Sequence, residues 1–346
     1  MATILQTKSI YFNDVNLLPS LGKVRSRKEV PKELFRIIVS PMTSIVGRTF
    51  IKEAAKLGLS VAIPRFLNIE NKIHLYKIFT KYQISEKQSC FIGISLNETI
   101  SNLSLYREYT KCNSYLVDMA NGYIPQIREK IKIIKDCLGH NLVDLLIGNI
   151  VTLKGLEYLE ESLNDLCYNL FVRVGIGNGQ PCASSDVAAI NRGQITELME
   201  CEPFKTDRNR DYYSRNTSKR LFLVSDGGIS KSGFVLKAFG AGADYCLLGG
   251  YWKNALEAEA NVTGKGIYFG CASSTQNKLA NLDRHTEGKE ILIDKTKLKP
   301  LKELVDELWG GIASGISYVG YQSIDTFVGN GVFEIKENSL PPKERY

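Results

Sequence analysis

The chain has 346 residues, of which 44% are hydrophobic, so it can bury a large core, and general disorder is excluded. Ordinary surface lysines explain the formal net charge of +7, which would also attract anionic ligands; no long block of like charges indicates a nucleic-acid-binding tail. No apolar run resembles a signal peptide or a membrane-spanning segment. The eight cysteines include no C-x-x-C pair, which argues against a zinc site. Their scattered positions predict reduced thiols in a cytoplasmic protein.

Short apolar runs recur along the chain and predict eight buried strands. Each run is nearly continuous in Val, Ile, Leu and Phe, which is typical of parallel strands that are buried on both faces. Most runs start 23 to 31 residues apart, which fits one strand followed by one helix. The predicted strands are 37–39, 60–63, 91–95, 115–118, 145–148, 170–174, 221–224 and 245–248.

The segments between the strands carry apolar residues at helical spacing, for example Ile127, Ile131 and Ile134. Eight strand–helix repeats favour a closed barrel over an open, doubly wound sheet. We therefore predict an α/β fold in which a single domain, residues 1–346, forms a (β/α)8 TIM barrel. The active site of such a barrel lies at the carboxyl ends of its strands.

Two segments depart from this repeat. Between the sixth and seventh strands, a glycine-rich loop and a helical stretch ending near Cys201 precede a polar stretch, 202–220, which we predict to be an exposed loop. After the eighth strand, residues 251–300 form an irregular polar segment, predicted to be a mobile flap. A closing helix is then predicted over about 300–308, and the Pro- and Lys-rich tail, 338–346, is expected to fray.

The loop after the sixth predicted strand has the sequence GIGNGQPC over residues 175–182. Glycines free the backbone and expose main-chain groups that can bind an ion or a phosphate. Cys182 precedes a helix predicted to begin near residues 184–186, and a helix amino terminus favours the thiolate form of cysteine, hence a nucleophile. For this loop alone, a turn followed by a structural cysteine is an equally good interpretation.

Glycine pairs also follow the last two strands, SDGG at 225–228 and GG at 249–250. The loops after these strands are the expected place for a phosphate in this kind of barrel. Asp226 could accept hydrogen bonds from ribose hydroxyls, although Asp is also common in turns and helix caps. The sequence RHTEGK at 284–289 lies in the flap and could be no more than a charged loop.

With these residues the sequence resembles the IMP dehydrogenase/GMP reductase family, and within it the GMP reductases. A lone glycine-rich loop ending in cysteine is a weak signal, but ordered matches over most of the chain are specific. The resembling segments are YFNDVNLLPS (11–20), DMANGY (118–123), IGNIVT (147–152), VRVGIGNGQPC (172–182), SDGGI (225–229), KAFGAGADYCLLGG (237–250), DRHTEGKE (283–290) and WGGIASGISYVG (309–320).

The resemblance implies an enzyme that reduces the purine nucleotide GMP with NADPH to IMP and ammonia. It also implies a cytoplasmic homotetramer that has no nucleic-acid or membrane partner. A reductase is favoured because segment 284–289 resembles the reductase flap and the regulatory insert of dehydrogenases is missing between the second and third strands. The implied roles are nucleophile, Cys182; acid relay, Ser184 and Glu287; substrate contacts, Asp226, Gly227, Gly228, Gly249, Gly250, Gln180, Ser273 and Arg284; cofactor contacts, Arg65, Asp118, Asn149 and Thr286; and carbonyls that bind a potassium ion, Gly177 and Gly179.

Several positions near the predicted site depart from the family pattern. Gln180 stands where the family has Ser, Thr43 where it has Asp, Arg65 where it has Lys, and Cys271 where its flap has Met. Two alternatives stay open. One is a sister reaction, either NAD-dependent oxidation of IMP or reduction of another 2-aminopurine nucleotide. The other is a catalytically inactive nucleotide-binding barrel, against which the retained nucleophile and acid relay argue.

Overall fold

The computed structural model describes residues 8–138, 144–181, 184–217, 219–283 and 288–336, with only the backbone of Ser184. The strands in these ranges are β1 (Val15–Leu17), β2 (Ile37–Val39), β3 (Ser60–Ile63), β4 (Cys90–Ile94), β5 (Ser114–Asp118), β6 (Asp144–Ile150), β7 (Asn169–Val174), β8 (Arg220–Asp226), β9 (Tyr245–Leu248), β10 (Ile267–Phe269), β11 (Glu290–Leu292) and β12 (Phe333–Ile335). The α-helices are α1 (Arg48–Lys56), α2 (Ile69–Tyr82), α3 (Ile100–Tyr109), α4 (Ile127–Leu138), α5 (Leu153–Leu163), α6 (Ser184–Val187), α7 (Gln194–Ser214), α8 (Ser232–Gly240), α9 (Glu259–Val262), α10 (Ser274–Leu279), α11 (Leu301–Tyr318) and α12 (Ile324–Phe327).

The strands β2 to β9 close into an eight-stranded parallel barrel in chain order, with β9 paired to β2. The predicted (β/α)8 fold is therefore confirmed, and the runs at 37–39, 60–63 and 245–248 have the predicted bounds. Helices cover the outside of the barrel, and the residues noted for their helical spacing, Ile127, Ile131 and Ile134, are all buried on α4. None of the helices in the described ranges is long and apolar enough to cross a membrane.

The inside of the barrel is filled with apolar side chains rather than open. Each strand contributes one buried residue to one apolar cluster: Ile38, Ala62, Phe91, Leu116, Leu146, Phe171, Val224 and Leu247. Phe171 packs against three further rings, those of Phe91, Phe222 and Tyr245, with centroids 4.8 to 5.4 Å away. A barrel filled in this way is rigid, so the loops at its rim are held in fixed positions.

The prediction that 202–220 is an exposed loop is wrong. The helix α7 does not end near Cys201 but runs through most of this stretch. Its polar side chains have partners on the barrel wall: Lys205 Nζ donates to a main-chain carbonyl before β9 at 2.9 Å, and the Asn209 amide exchanges two hydrogen bonds with the Leu221 backbone. Tertiary contacts thus override a composition typical of a loop.

The segment after the barrel is more regular than predicted. Within 251–300, β10 and β11 pair as antiparallel strands, and α9 and α10 are short helices. The closing helix α11 extends ten residues beyond the predicted end at 308, to Tyr318. The predicted frayed tail, 338–346, lies outside the described residues.

Candidate active site

The floor of the candidate site follows from the alternation of side chains along the barrel strands. Along each strand, the residue two positions after the member of the apolar cluster also points inward, near the carboxyl end of the strand. On β5, β7 and β8 these residues are charged: Asp118, Arg173 and Asp226. On β6 the equivalent residue is Gly148, where a Cβ would lie only 2.8 Å from Arg173 Cβ. The glycine therefore makes room for the backbone and Cβ of Arg173 on the neighbouring strand.

The charged side chains form one continuous chain across the floor. Arg173 donates to Asp118 Oδ1 at 2.8 Å and, from two nitrogens, to Asp226 Oδ2 at 2.9 and 2.8 Å. Arg65 Nε lies 3.3 Å from Asp118 Oδ2, and Asn149 Nδ2 donates to Asp226 Oδ2 at 2.7 Å. Burial alone would lower the pKa of Arg173, but the two carboxylates raise it above its ordinary value. The guanidinium is thus fixed as a cation between two anions.

The glycine-rich loop after β7 forms one wall. Gly175 and Gly177 adopt φ angles of +131° and +80°, which are accessible mainly to glycine. The buried Asn178 side chain donates to the main-chain carbonyl of Arg192, just before α7, at 3.1 Å. Gln194 Nε2 donates to the carbonyls of Asp226 and Gly227, which ties this wall to the loop after β8. The helix α6 that follows is a single turn, so its dipole offers a thiolate less support than predicted.

The opposite wall joins the loops after β8 and β9. Gly227 and Gly228 have φ angles of +93° and +70°, and Gly249 and Gly250 follow β9 directly. Such turns present successive backbone amides that can bind an anion. A Cβ on Gly249 would lie 2.7 Å from the Sδ of Met42, so Met42 leaves no room for a side chain at this position.

These walls enclose a cavity of about 510 Å³, which suits a small-molecule ligand. The predicted site residues that line it are Arg65, Asp118, Asn149, Asp226, Gly177, Gly179, Gln180, Gly227, Gly228, Gly249 and Gly250. Ser273, a predicted substrate contact, is not among the lining residues: it is fully buried and its hydroxyl caps α10 by accepting from the Gln276 amide.

The predicted nucleophile and much of the flap lie outside the described residues. They are Cys182, Arg284, Thr286 and Glu287, and the side chain of Ser184 is also not described. Their described neighbours are in contact. The Lys289 amide donates to the Pro181 carbonyl at 2.7 Å, and Lys289 Nζ lies 2.8 Å from Asp186 Oδ2.

Sequence reasoning missed Arg173 and Tyr268, both of which line the cavity. The signal for Arg173 is present in the sequence, since a charged residue inside the apolar run LFVRV needs buried partners. Tyr268 carries no such signal, because its place at the cavity depends on how β10 packs against the rim. Met119, Ala120 and Cys271 complete the lining on the side of β5.

Residues 10–340 match the family described as IMP dehydrogenase / GMP reductase domain. A GMP reductase of Caenorhabditis elegans is 24% identical over 360 residues, which cover 96% of this chain and 93% of the relative. GMP reductase 1 of Homo sapiens is 25% identical over 333 residues, covering 89% of this chain and 90% of the relative. A GMP reductase of Buchnera aphidicola is 25% identical over 342 residues, with 90% of each chain covered.

Proposed function

Because the chain belongs to the IMP dehydrogenase/GMP reductase family, a family of oxidoreductase enzymes, we propose that it reduces GMP with NADPH to IMP and ammonia. The observation that carries the proposal is the hydrogen bond from Lys289 N to Pro181 O at 2.7 Å. It holds the segment after the barrel against the cysteine loop. The proposal places the nucleophile Cys182 and the acid Glu287 beside this contact, since they are one and two positions away from it along the chain.

The floor and the glycine loops support a nucleotide as the substrate. All the described donors to Asp226 contact its Oδ2, so Oδ1 stays available to accept from ribose hydroxyls. The amides of Gly227, Gly228, Gly249 and Gly250 would bind the 5′-phosphate, and Gln180 would add a side-chain donor.

The covalent step needs a thiolate and an acid. The Cys182 sulfur would add to purine C2, and the C2–N2 bond would break as the amino group leaves, which gives a thioimidate. Ammonia leaves poorly unless it is protonated, so Glu287 would deliver a proton through the Ser184 hydroxyl. Transfer of a hydride to C2 and departure of the thiolate would then give IMP, with one NADPH oxidised to NADP⁺ for each ammonia released.

The cavity residues around Asn149 would suit the nicotinamide of the cofactor. Both N–H groups of Asn149 are occupied, by Asp226 Oδ2 and the Gly175 carbonyl, so the amide can offer only its Oδ1 as an acceptor for a carboxamide. Met119 and Ala120 supply apolar surface beside it. Arg65 and Asp118 would hold the adjoining polar part of the cofactor, which supplies the hydride when bound.

The loop also fits a potassium ion bound by the carbonyls of Gly177 and Gly179. A Cβ on Gly177 would lie 2.7 Å from the Ile190 carbonyl oxygen, so main-chain oxygens already crowd this corner. Carbonyl oxygens replace the hydration shell of potassium well. The ion would fix the loop that carries Cys182 and take no part in bond making.

The test is turnover of GMP with NADPH, followed by loss of NADPH absorbance and release of ammonia. Cys182→Ala should abolish turnover, because hydride cannot displace the amino group without the covalent intermediate. Glu287→Gln and Ser184→Ala should each lower kcat by about 10²- to 10⁴-fold, and the double variant should cost less than the product of the two if they act as one relay.

Cys137→Ala is the matched control, since Cys137 is a free thiol on α4, away from the cavity lining. It should keep wild-type turnover. Full activity of Cys182→Ala, or multiplicative losses in the relay variants, would contradict the assigned roles. Turnover of IMP with NAD, but not of GMP with NADPH, would replace the proposed reaction with the dehydrogenase alternative. Light scattering would check the expected homotetramer.

A further inference from the structure

A lysine stands directly behind the loop at the phosphate end of the cavity. Lys253 lies in the short 3₁₀ helix Gly250–Asn254 that follows β9. Its Nζ donates to Gln180 Oε1 at 2.9 Å and lies 6.0 Å from the centre of the Tyr268 ring. Both contacted residues line the cavity. The ammonium group is therefore one side chain away from the space in which an anion would bind.

The backbone around Lys253 is firmly held. The neighbouring Trp252 is completely buried, and the Lys253 carbonyl accepts from Asn261 Nδ2 at 2.9 Å. The direction from which this side chain approaches the cavity is thus set by the fold and not by a mobile loop.

Among the described residues, no carboxylate forms an ion pair with Lys253. Its hydrogen-bond acceptor is a neutral amide, and the charge that acts on its pKa is that of Lys297, another cation. Burial, and then repulsion by Lys297, lowers the pKa of Lys253 below its ordinary value. A half-buried cation without an anion is unfavourable, and a bound anion would relieve that penalty.

The contact also fixes the orientation of Gln180. A lysine ammonium can only donate, so the atom of the amide that faces Lys253 must be the oxygen. The nitrogen of that amide, with its two N–H groups, is not engaged by Lys253 and can donate to a ligand in the cavity that Gln180 lines. Gln180 is thereby held as a donor, where the resembling family has a serine hydroxyl.

We propose that Lys253, acting with Gln180, recognises the 5′-phosphate and determines the selectivity of the site for phosphorylated ligands. This inference rests on the proposed function, since it assumes a nucleotide in the cavity. Lys253 binds the phosphate through the oriented Gln180 amide, or directly after rotation of its flexible stem. A charge-assisted hydrogen bond to a phosphate is stronger than a neutral one, so losing Lys253 weakens binding of the phosphorylated ligand selectively.

The experiment compares binding of IMP and inosine by calorimetry in the wild type, Lys253→Met and Lys253→Arg. Lys253→Met should weaken IMP binding by roughly 10- to 100-fold and leave inosine binding unchanged. Lys253→Arg keeps the charge and should retain most of the selectivity; it also decides the question if the methionine variant does not fold. Lys302→Met is the matched control, because Lys302 is 74% exposed and paired with Asp306, and it should keep wild-type selectivity.

Equal affinities of wild type and Lys253→Met for IMP would overturn the inference, as would equal losses for IMP and inosine, which indicate a purely structural role. Failure of the proposed function looks different: the wild type would then bind neither IMP nor GMP. In that case ribose 5-phosphate, which has a phosphate and no purine, still decides the role of Lys253. It should raise the melting temperature of the wild type more than that of Lys253→Met; equal shifts would overturn the inference.

Discussion

Replacing Arg173 by methionine should destabilise the protein far more than the loss of an ordinary ion pair. Arg173 is buried, with only 8% of the residue exposed, and its guanidinium contacts Asp118 and Asp226 at 2.8 to 2.9 Å. Its removal leaves Asp118 with Arg65 at 3.3 Å and Asp226 with the Asn149 amide at 2.7 Å. Breaking a buried pair by removing one partner costs about 3–5 kcal/mol.

The size of the chain converts this cost into a temperature. Unfolding entropy of about 2.1 cal/mol/K per residue gives roughly 0.7 kcal/mol/K for the 346 residues. A loss of 3–5 kcal/mol therefore predicts a melting temperature about 4–7 °C below that of the wild type. Differential scanning calorimetry at neutral pH measures the shift.

Arg128→Met is the matched control, because Arg128 makes two contacts of 2.8 Å to one carboxylate, that of Asp165, but is half exposed. An exposed pair contributes about 0–1 kcal/mol, so its loss should lower the melting temperature by no more than about 1–2 °C. Arg173→Lys should fall between the two, since an ammonium cannot contact both carboxylates with a planar fork. If Arg173→Met melts no lower than Arg128→Met, the buried ionic chain does not stabilise the floor of the site.

Three further predictions concern the site and the core. Gly249→Val should raise the KM for GMP by at least several-fold, because a Cβ there would lie 2.7 Å from Met42 Sδ and 3.0 Å from Tyr268 Oη; an unchanged KM in steady-state assays would refute this. Replacing potassium by lithium in the assay should lower kcat, and equal rates in both salts would remove the ion from the proposal. Lys72→Met should raise the free energy of unfolding by about 1–3 kcal/mol at pH 7, because burial lowers the pKa of Lys72 to about 8 in the folded state. The wild type should gain stability as the pH rises from about 8 towards 10, where the unfolded lysine also loses its proton, and the gap to the variant should close; a gap that stays constant in urea titrations would contradict this.

The barrel could be predicted from the sequence because its signal is local and repeated. A strand buried on both faces is an uninterrupted apolar run, and its position does not depend on distant residues. The helix α7 could not be predicted in this way, because the partners of Lys205 and Asn209, which are backbone groups and the Asp244 carboxylate, are brought to them by the closed barrel. Composition cannot distinguish a polar helix with such partners from a solvated loop.

The residues of the candidate site differ in the same way in how far their positions could be predicted from the sequence. The glycines and Asp226 follow strands and are thus brought to one rim by the fold alone. Ser273 was expected at the cavity, but it caps α10 instead, since a serine before a helix finds a local donor in the backbone. Lys253 carries no recognisable pattern in the sequence, and its importance emerges only from its contact with Gln180, 73 residues away.

The apolar cluster inside the barrel has a consequence for the fate of the covalent adduct that the proposed mechanism requires. A thioimidate reacts with water as well as with hydride, so the outcome depends on which of them reaches C2 first. In the described part of the chain, the apolar cluster and the rings around Phe171 fill the inside of the barrel below the site. Under the proposed mechanism, solvent would reach C2 from the rim, so the covering of that opening, and not the barrel, would decide between reduction and hydrolysis.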